Sequence, residues 1–88
     1  MAKLFIHKFR VSGMHDSADV TAVRIRLAKI PDVSAISVDL RKRQVEITTS
    51  KMIEAFTIRN ALGNVDFGLS ELMTRVTFTP TGVRDDET

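Results

Sequence analysis

The apolar residues of this chain keep switching spacing, and the order of the switches leaves few folds open. From Leu4 to Val11 apolar and polar residues nearly alternate, with Phe5, His7, Phe9 and Val11 on one parity and Leu4, Ile6, Lys8 and Arg10 on the other. A period of two is the pattern of a strand with one face buried. Ser12-Gly13 ends it, and Asp16 or Ser17 can cap a helix on which Val20, Val23, Leu27 and Ile30 form one stripe before Pro31. Ile36, Val38 and Leu40, then Val45 and Ile47, alternate on either side of the polar turn Arg41-Lys42-Arg43 and predict a hairpin. Ser50 is read as the cap of a second helix, with Met52, Ala55, Phe56, Ile58 and Leu62 on its apolar side and Gly63 at its end. One last strand is expected between Phe67 and Phe78, where Val76 and Phe78 alternate with Arg75, Thr77 and Thr79.

The resulting order is β-α-β-β-α-β. Two β-α-β units with right-handed crossovers interleave into one four-stranded antiparallel sheet. The expected fold is therefore α+β, a ferredoxin-like sandwich with both helices on one face of the sheet and the other face open. With 88 residues the chain is long enough for one domain only. Residues 1–79 are expected to form it and 80–88, with one apolar residue beyond Thr81, a flexible tail.

A domain this small must devote its interior to a core and has little room for a deep substrate cavity. No phosphate-cradling glycine loop or catalytic constellation is visible in the sequence. Both points argue against a self-sufficient enzyme and for a binding or carrier module. The absence of cysteine excludes disulfides, thiolate metal sites and a cysteine nucleophile. No apolar run approaches the ~18 residues of a membrane span, and Leu4-Phe5-Ile6 gives way at once to His7-Lys8, unlike a secretory leader. The expected location is the cytoplasm, without membrane insertion. Net charge is +2, and the acidic stretch Arg84-Asp85-Asp86-Glu87 hides a surplus: residues 1–83 carry 12 basic and 8 acidic side chains. Nucleic-acid binding is not expected. The outward positions of the hairpin are Ser37, Asp39, Gln44, Glu46 and Thr48, with no aromatic for base stacking. Arg41-Lys42-Arg43 reads as a solvated turn, with phosphate contact as the alternative.

The stretch Phe9-Arg10-Val11-Ser12-Gly13-Met14-His15-Asp16-Ser17-Ala18-Asp19 resembles the metal loop of the heavy-metal-associated domain family, which includes small copper chaperones and the N-terminal domains of metal-pumping ATPases. The family carries Gly-Met-x-Cys-x-x-Cys after its first strand. The resemblance continues through Val23 and Leu27, Ile30-Pro31-Asp32-Val33, the strand Ile36-Ser37-Val38-Asp39-Leu40, and Val45 and Ile47. It covers about residues 4 to 72, and only Gly63 and Phe67 echo the family's later glycine-aromatic step.

Both cysteine positions hold aspartate, Asp16 and Asp19. Thiolates are soft and select Cu(I), whereas carboxylates are hard. The resemblance therefore implies a domain that has lost thiolate transfer of soft metal and serves as a docking module for a protein partner, such as a metal-transporting ATPase. Its contact surface would comprise Gly13, Met14, Asp16, Asp19, Arg24, Arg26 and Lys29. In the family the methionine packs inward and anchors the loop, and the same is expected of Met14. The alternative is a metal-binding protein in which His15, Asp16 and Asp19 hold Zn(II) or another divalent ion, the only cofactor these side chains suggest. Against the metal, Asp-x-x-Asp at a helix start is also a capping arrangement. A third reading uses the open sheet face, with Leu4 and Ile6, for regulation or assembly, the chain being a monomer or a weak homodimer. His7 lies on the apolar parity, has no ligand partner near it in sequence and is expected to be a satisfied or partly buried histidine rather than a ligand.

Overall fold

The structure is a computed structural model, and it describes residues 2–63 and 66–79. The elements follow the expected order: β1 (Ala2–Ser12), α1 (Ser17–Ala28), β2 (Val33–Asp39), β3 (Gln44–Thr49), α2 (Ala55–Leu62) and β4 (Gly68–Thr79). They form one four-stranded sheet of order β2-β3-β1-β4, antiparallel at every pairing. The expectation of a flexible tail falls on 80–88, outside the described residues.

The alternation read from β1 is the alternation that folds. His7, Phe9 and Val11 are buried, as are Val45, Ile47 and Thr49 of β3, and they meet Val23, Leu27, Ile58 and Leu62 from the two helices. Burying each of the apolar side chains among these is worth about 1.5–3 kcal/mol, and an 88-residue chain has few such contributions to spare.

Two departures from the sequence reading lie at the far end of the sheet. Ser50 does not cap α2. Its backbone N–H donates to the Asp32 carbonyl at 3.0 Å, and the Thr49 hydroxyl donates to the Lys51 carbonyl at 2.6 Å. These contacts hold the chain off α-helical geometry until Glu54, which occupies the cap position without a side-chain hydrogen bond. Met52 is thereby left out of the helix, and Met52 and Phe56 are exposed. The second departure follows from length. α2 has eight residues and spans roughly 12 Å, whereas β4 has twelve and spans roughly 40 Å. The helix cannot cover the whole strand, so Val76 and Phe78 share the helix-side parity of Phe5 yet remain exposed. A bulge between the pairs of Lys8 and Arg10, where Glu71 adopts φ +55°, resets the parity of β4 along the way.

His7 is completely buried between two hydroxyls. Nδ1 lies 2.9 Å from Thr74 Oγ1, and Nε2 lies 3.0 Å from Thr49 Oγ1. Because the Thr49 hydroxyl hydrogen is already given to the Lys51 carbonyl, Thr49 can only accept from the ring. Nε2 therefore carries the proton and Nδ1 accepts from Thr74, which defines a single neutral tautomer. The sequence expectation of a satisfied or partly buried histidine holds, and burial is complete. Burial lowers the pKa of His7 below its ordinary value of 6.5. The unfolded chain then binds more protons just below pH 6.5, so this contribution to stability is complete above pH 6.5 and is lost as pH falls toward the lowered folded value. Thermal melts from pH 8 to pH 5 should show a decline setting in below about 6.5 that His7→Gln abolishes. An equal slope in both proteins would assign the decline to other groups.

Candidate functional site

Gly13 makes the loop between β1 and α1 possible. Its φ is +95°, a region open to glycine and strained for residues bearing a Cβ. A Cβ here would also run into the backbone carbonyl of Asp66. The loop is thus pressed directly against the segment entering β4. Met14 follows with its side chain wholly buried, so it anchors the loop from inside, as expected. For the same reason it is corrected out of the contact surface: a side chain without exposed area cannot meet a partner.

Asp16 is the N-cap of α1. Its Oδ1 accepts from the Asp19 backbone N–H at 3.0 Å, while Asp19 Oδ2 accepts from the His15 backbone N–H at 2.8 Å. The two carboxylates satisfy donors that the helix start would otherwise leave open. The arrangement differs from the usual reciprocal box only in that Asp19 reaches one residue farther back than the cap. A cap of this kind is worth about 1 kcal/mol. Among the described residues no group of three His, Asp or Glu side chains is gathered to hold a metal ion. His15, Asp16 and Asp19 are neighbours at the start of α1 without forming such a group.

The three helix cations expected to share a surface are separated by the helix. Arg24 leans toward β2, where its Nη1 donates to the Ile36 carbonyl at 3.2 Å. Arg26, about 200° around the axis, turns the other way and donates to the Leu62 carbonyl. It also pairs with Asp66 at 3.1 Å, with its guanidinium 5.0 Å from the Phe67 ring centre. Arg26 is thereby a clamp between α1 and the residues Leu62, Asp66 and Phe67, held by hydrogen bonds and a cation–π contact. Lys29 is exposed at the end of α1. Of the three, Arg24 and Lys29 keep charge available on the outer face.

Beside the loop lies a groove of about 430 Å³ lined by Gly13, His15, Asp19, Ala22, Arg26, Asp66 and Phe67. Asp16 is not part of its wall. Ala22, Asp66 and Phe67 are the members not expected here from the sequence, and the one signal for the last two was the faint glycine-aromatic echo at Gly63 and Phe67. The open sheet face carries the half-buried Leu4 and Ile6. The exposed Met73 stands on the same face beside Ile6, Lys8, Glu46 and Arg75.

Among the described residues no helix is long and apolar enough to cross a membrane. No curated protein sequence matches the chain. Several solved structures share its fold. The N-terminal domain of PacS from Synechocystis PCC6803 superposes with a TM-score of 0.66 at 15% identity, over 77% of this chain and 96% of that one. A structure described under "Crosstalk between Cu(I) and Zn(II) homeostasis" superposes with a TM-score of 0.68 at 13% identity, over 77% and 97%. The sequence model of the heavy-metal-associated domain matches residues 8–67. That match runs from the middle of β1, through the loop with its two aspartates, to the clamp residue Phe67. Since it takes in most of the chain, this protein belongs to the heavy-metal-associated domain family, with carboxylates at both positions where the family's loop carries thiolates.

Proposed function

We propose that this domain is a docking module that does not carry soft metal, and that it meets a protein partner through the end bearing the β1–α1 loop. A metal-transporting ATPase or a related protein is the partner class the family suggests. The observation that carries the reading is the capping pair. Asp16 and Asp19, standing at the ligand positions, each accept a backbone N–H at the start of α1. To coordinate an ion, either carboxylate would have to share or give up that bond. The donor set is also wrong for Cu(I), since carboxylate and imidazole are hard and borderline ligands. The loop end therefore offers a partner shape and charge: two carboxylates at the start of α1, and Arg24 and Lys29 along it. Such complementarity chiefly sets encounter rate and selectivity.

Titration with Cu(I) against a competing chelator tests the reading. The chelator should keep the metal at every ratio. One tightly held Cu(I) per chain would overturn it. Zn(II) binding by His15, Asp16 and Asp19 is the competing reading. It requires amide shifts confined to the loop, saturable at sub-micromolar Zn(II) and lost in His15→Ala.

A further inference from the structure

We propose that the end of the sheet at the β2–β3 turn is a binding site for a small oligophosphate, two or more linked phosphate groups. This goes beyond the docking reading and does not depend on it. A groove of about 320 Å³ is lined by Arg10 and Ser12 of β1, by Arg41, Lys42 and Arg43 of the turn, and by Ser70 of β4. Three elements distant in sequence build it. Arg10 stands opposite Gln44 on one side and Ser70 on the other, and the Val11 backbone N–H donates to the Arg43 carbonyl at 2.9 Å. Four cations and two hydroxyls thus face one space.

Little compensates that charge. Among the described residues neither ion pair involves Arg41, Lys42 or Arg43. Arg10 has Glu71 at 3.4 Å, with both side chains more than half exposed. The Asp39 carboxylate accepts from the Lys42 backbone N–H. Arg43 adds a second, independent sign. It closes the turn through its N–H to the Leu40 carbonyl at 3.1 Å, in a left-handed conformation with φ +54°. Glycine adopts this geometry at the end of a hairpin loop without strain. An arginine here keeps a charge on the groove at the expense of backbone strain, and strain of this sort gathers at functional positions.

The lining selects the ligand. Guanidinium forks and hydroxyl donors match phosphate oxygens. Among the described residues the only apolar one in the wall is the buried Val11, and no aromatic lines it, so neither a base nor an apolar peptide anchor is held. The volume is that of a small-molecule site. Beyond the groove the open face presents Asp39 and Glu46 beside Lys8, which disfavours a long polyanion such as duplex nucleic acid.

The test follows backbone amide shifts of the intact chain in about 0.1 M salt, where distant charges are screened. The probes are inorganic tripolyphosphate, ATP and a short DNA duplex. Tripolyphosphate should give saturable shifts confined to residues 10–12, 40–44 and 68–71. Arg43→Gly should weaken it about tenfold, the loss of one charge-assisted contact, while melting no lower than the parent because glycine suits the turn. Lys51→Ala should leave binding unchanged. Equal affinity for tripolyphosphate and ATP is expected, because the phosphates alone are held, and a more than tenfold preference for ATP would require a base contact that this wall does not offer and would overturn the proposal. The proposal is overturned by shifts spread over all basic residues, by unaltered binding in Arg43→Gly, or by DNA binding tighter than either phosphate probe.

Discussion

Asp16→Cys combined with Asp19→Cys should convert a chain that loses Cu(I) to a competing chelator into one that holds a single Cu(I) against it. The scaffold around the ligand positions is what makes this possible. Gly13 keeps its positive φ and its close approach to Asp66, Met14 is fully buried beneath the loop, and α1 begins at Ser17, directly after the first ligand position. Positions 16 and 19 fall on the cap and the third residue of the helix, which brings their side chains to one end of it. Two thiolates there supply the soft donors that carboxylates lack. Removing the carboxylates forfeits their hydrogen bonds to the Asp19 and His15 amides, so the metal-free variant should be less stable by about 1 kcal/mol. For a domain of this size that lowers the melting temperature by roughly 4–8 °C, and Cu(I) should restore it. Failure of the variant to bind Cu(I) would mean that the loop has drifted from the geometry of thiolate-carrying domains, and that more than the ligand identities has changed.

The loop's dependence on its glycine is the second large effect. Gly13→Ala places a Cβ against the Asp66 carbonyl and asks alanine to hold φ +95°. The left-handed backbone alone costs about 1–2 kcal/mol for a residue with a Cβ. The collision is with backbone, which cannot swing aside as a side chain can, so the full loss should be about 3 kcal/mol. The melting temperature should fall by roughly 12–24 °C. Gly68→Ala is the control, because its Cβ would meet only the Ser12 hydroxyl, the tip of an exposed side chain free to rotate. Equal losses in the two variants would show that the loop is not braced by Asp66 and Phe67. The Arg26 clamp on Leu62, Asp66 and Phe67 would then serve α1 alone.

These effects separate two kinds of information. The parity of Phe5, His7, Phe9 and Val11, the stripe Val20, Val23, Leu27 and Ile30, and the alternation of Val45 and Ile47 were legible residue by residue, because each is a local periodicity that one buried face imposes. The cap at Asp16 was legible for the same reason, since its partners lie within four residues. Where the start of α2 was misread, the deciding contact was long-range. Ser50 looked like a cap, but its N–H was claimed by Asp32, eighteen residues earlier in the chain.

The amino-acid order on its own determined the succession of strands and helices, their inward faces and the identity of the loop that replaces sulfur with carboxylate. Tertiary structure alone decided which distant groups meet. It brought Thr49 and Thr74 to the two nitrogens of His7, laid Arg26 over Phe67 and gathered Arg10 with Arg41, Lys42 and Arg43 around one groove. The physical reason is that hydrogen bonds, charge and steric exclusion act over a few ångströms of space, while strand pairing sets those distances between residues tens of positions apart in the chain.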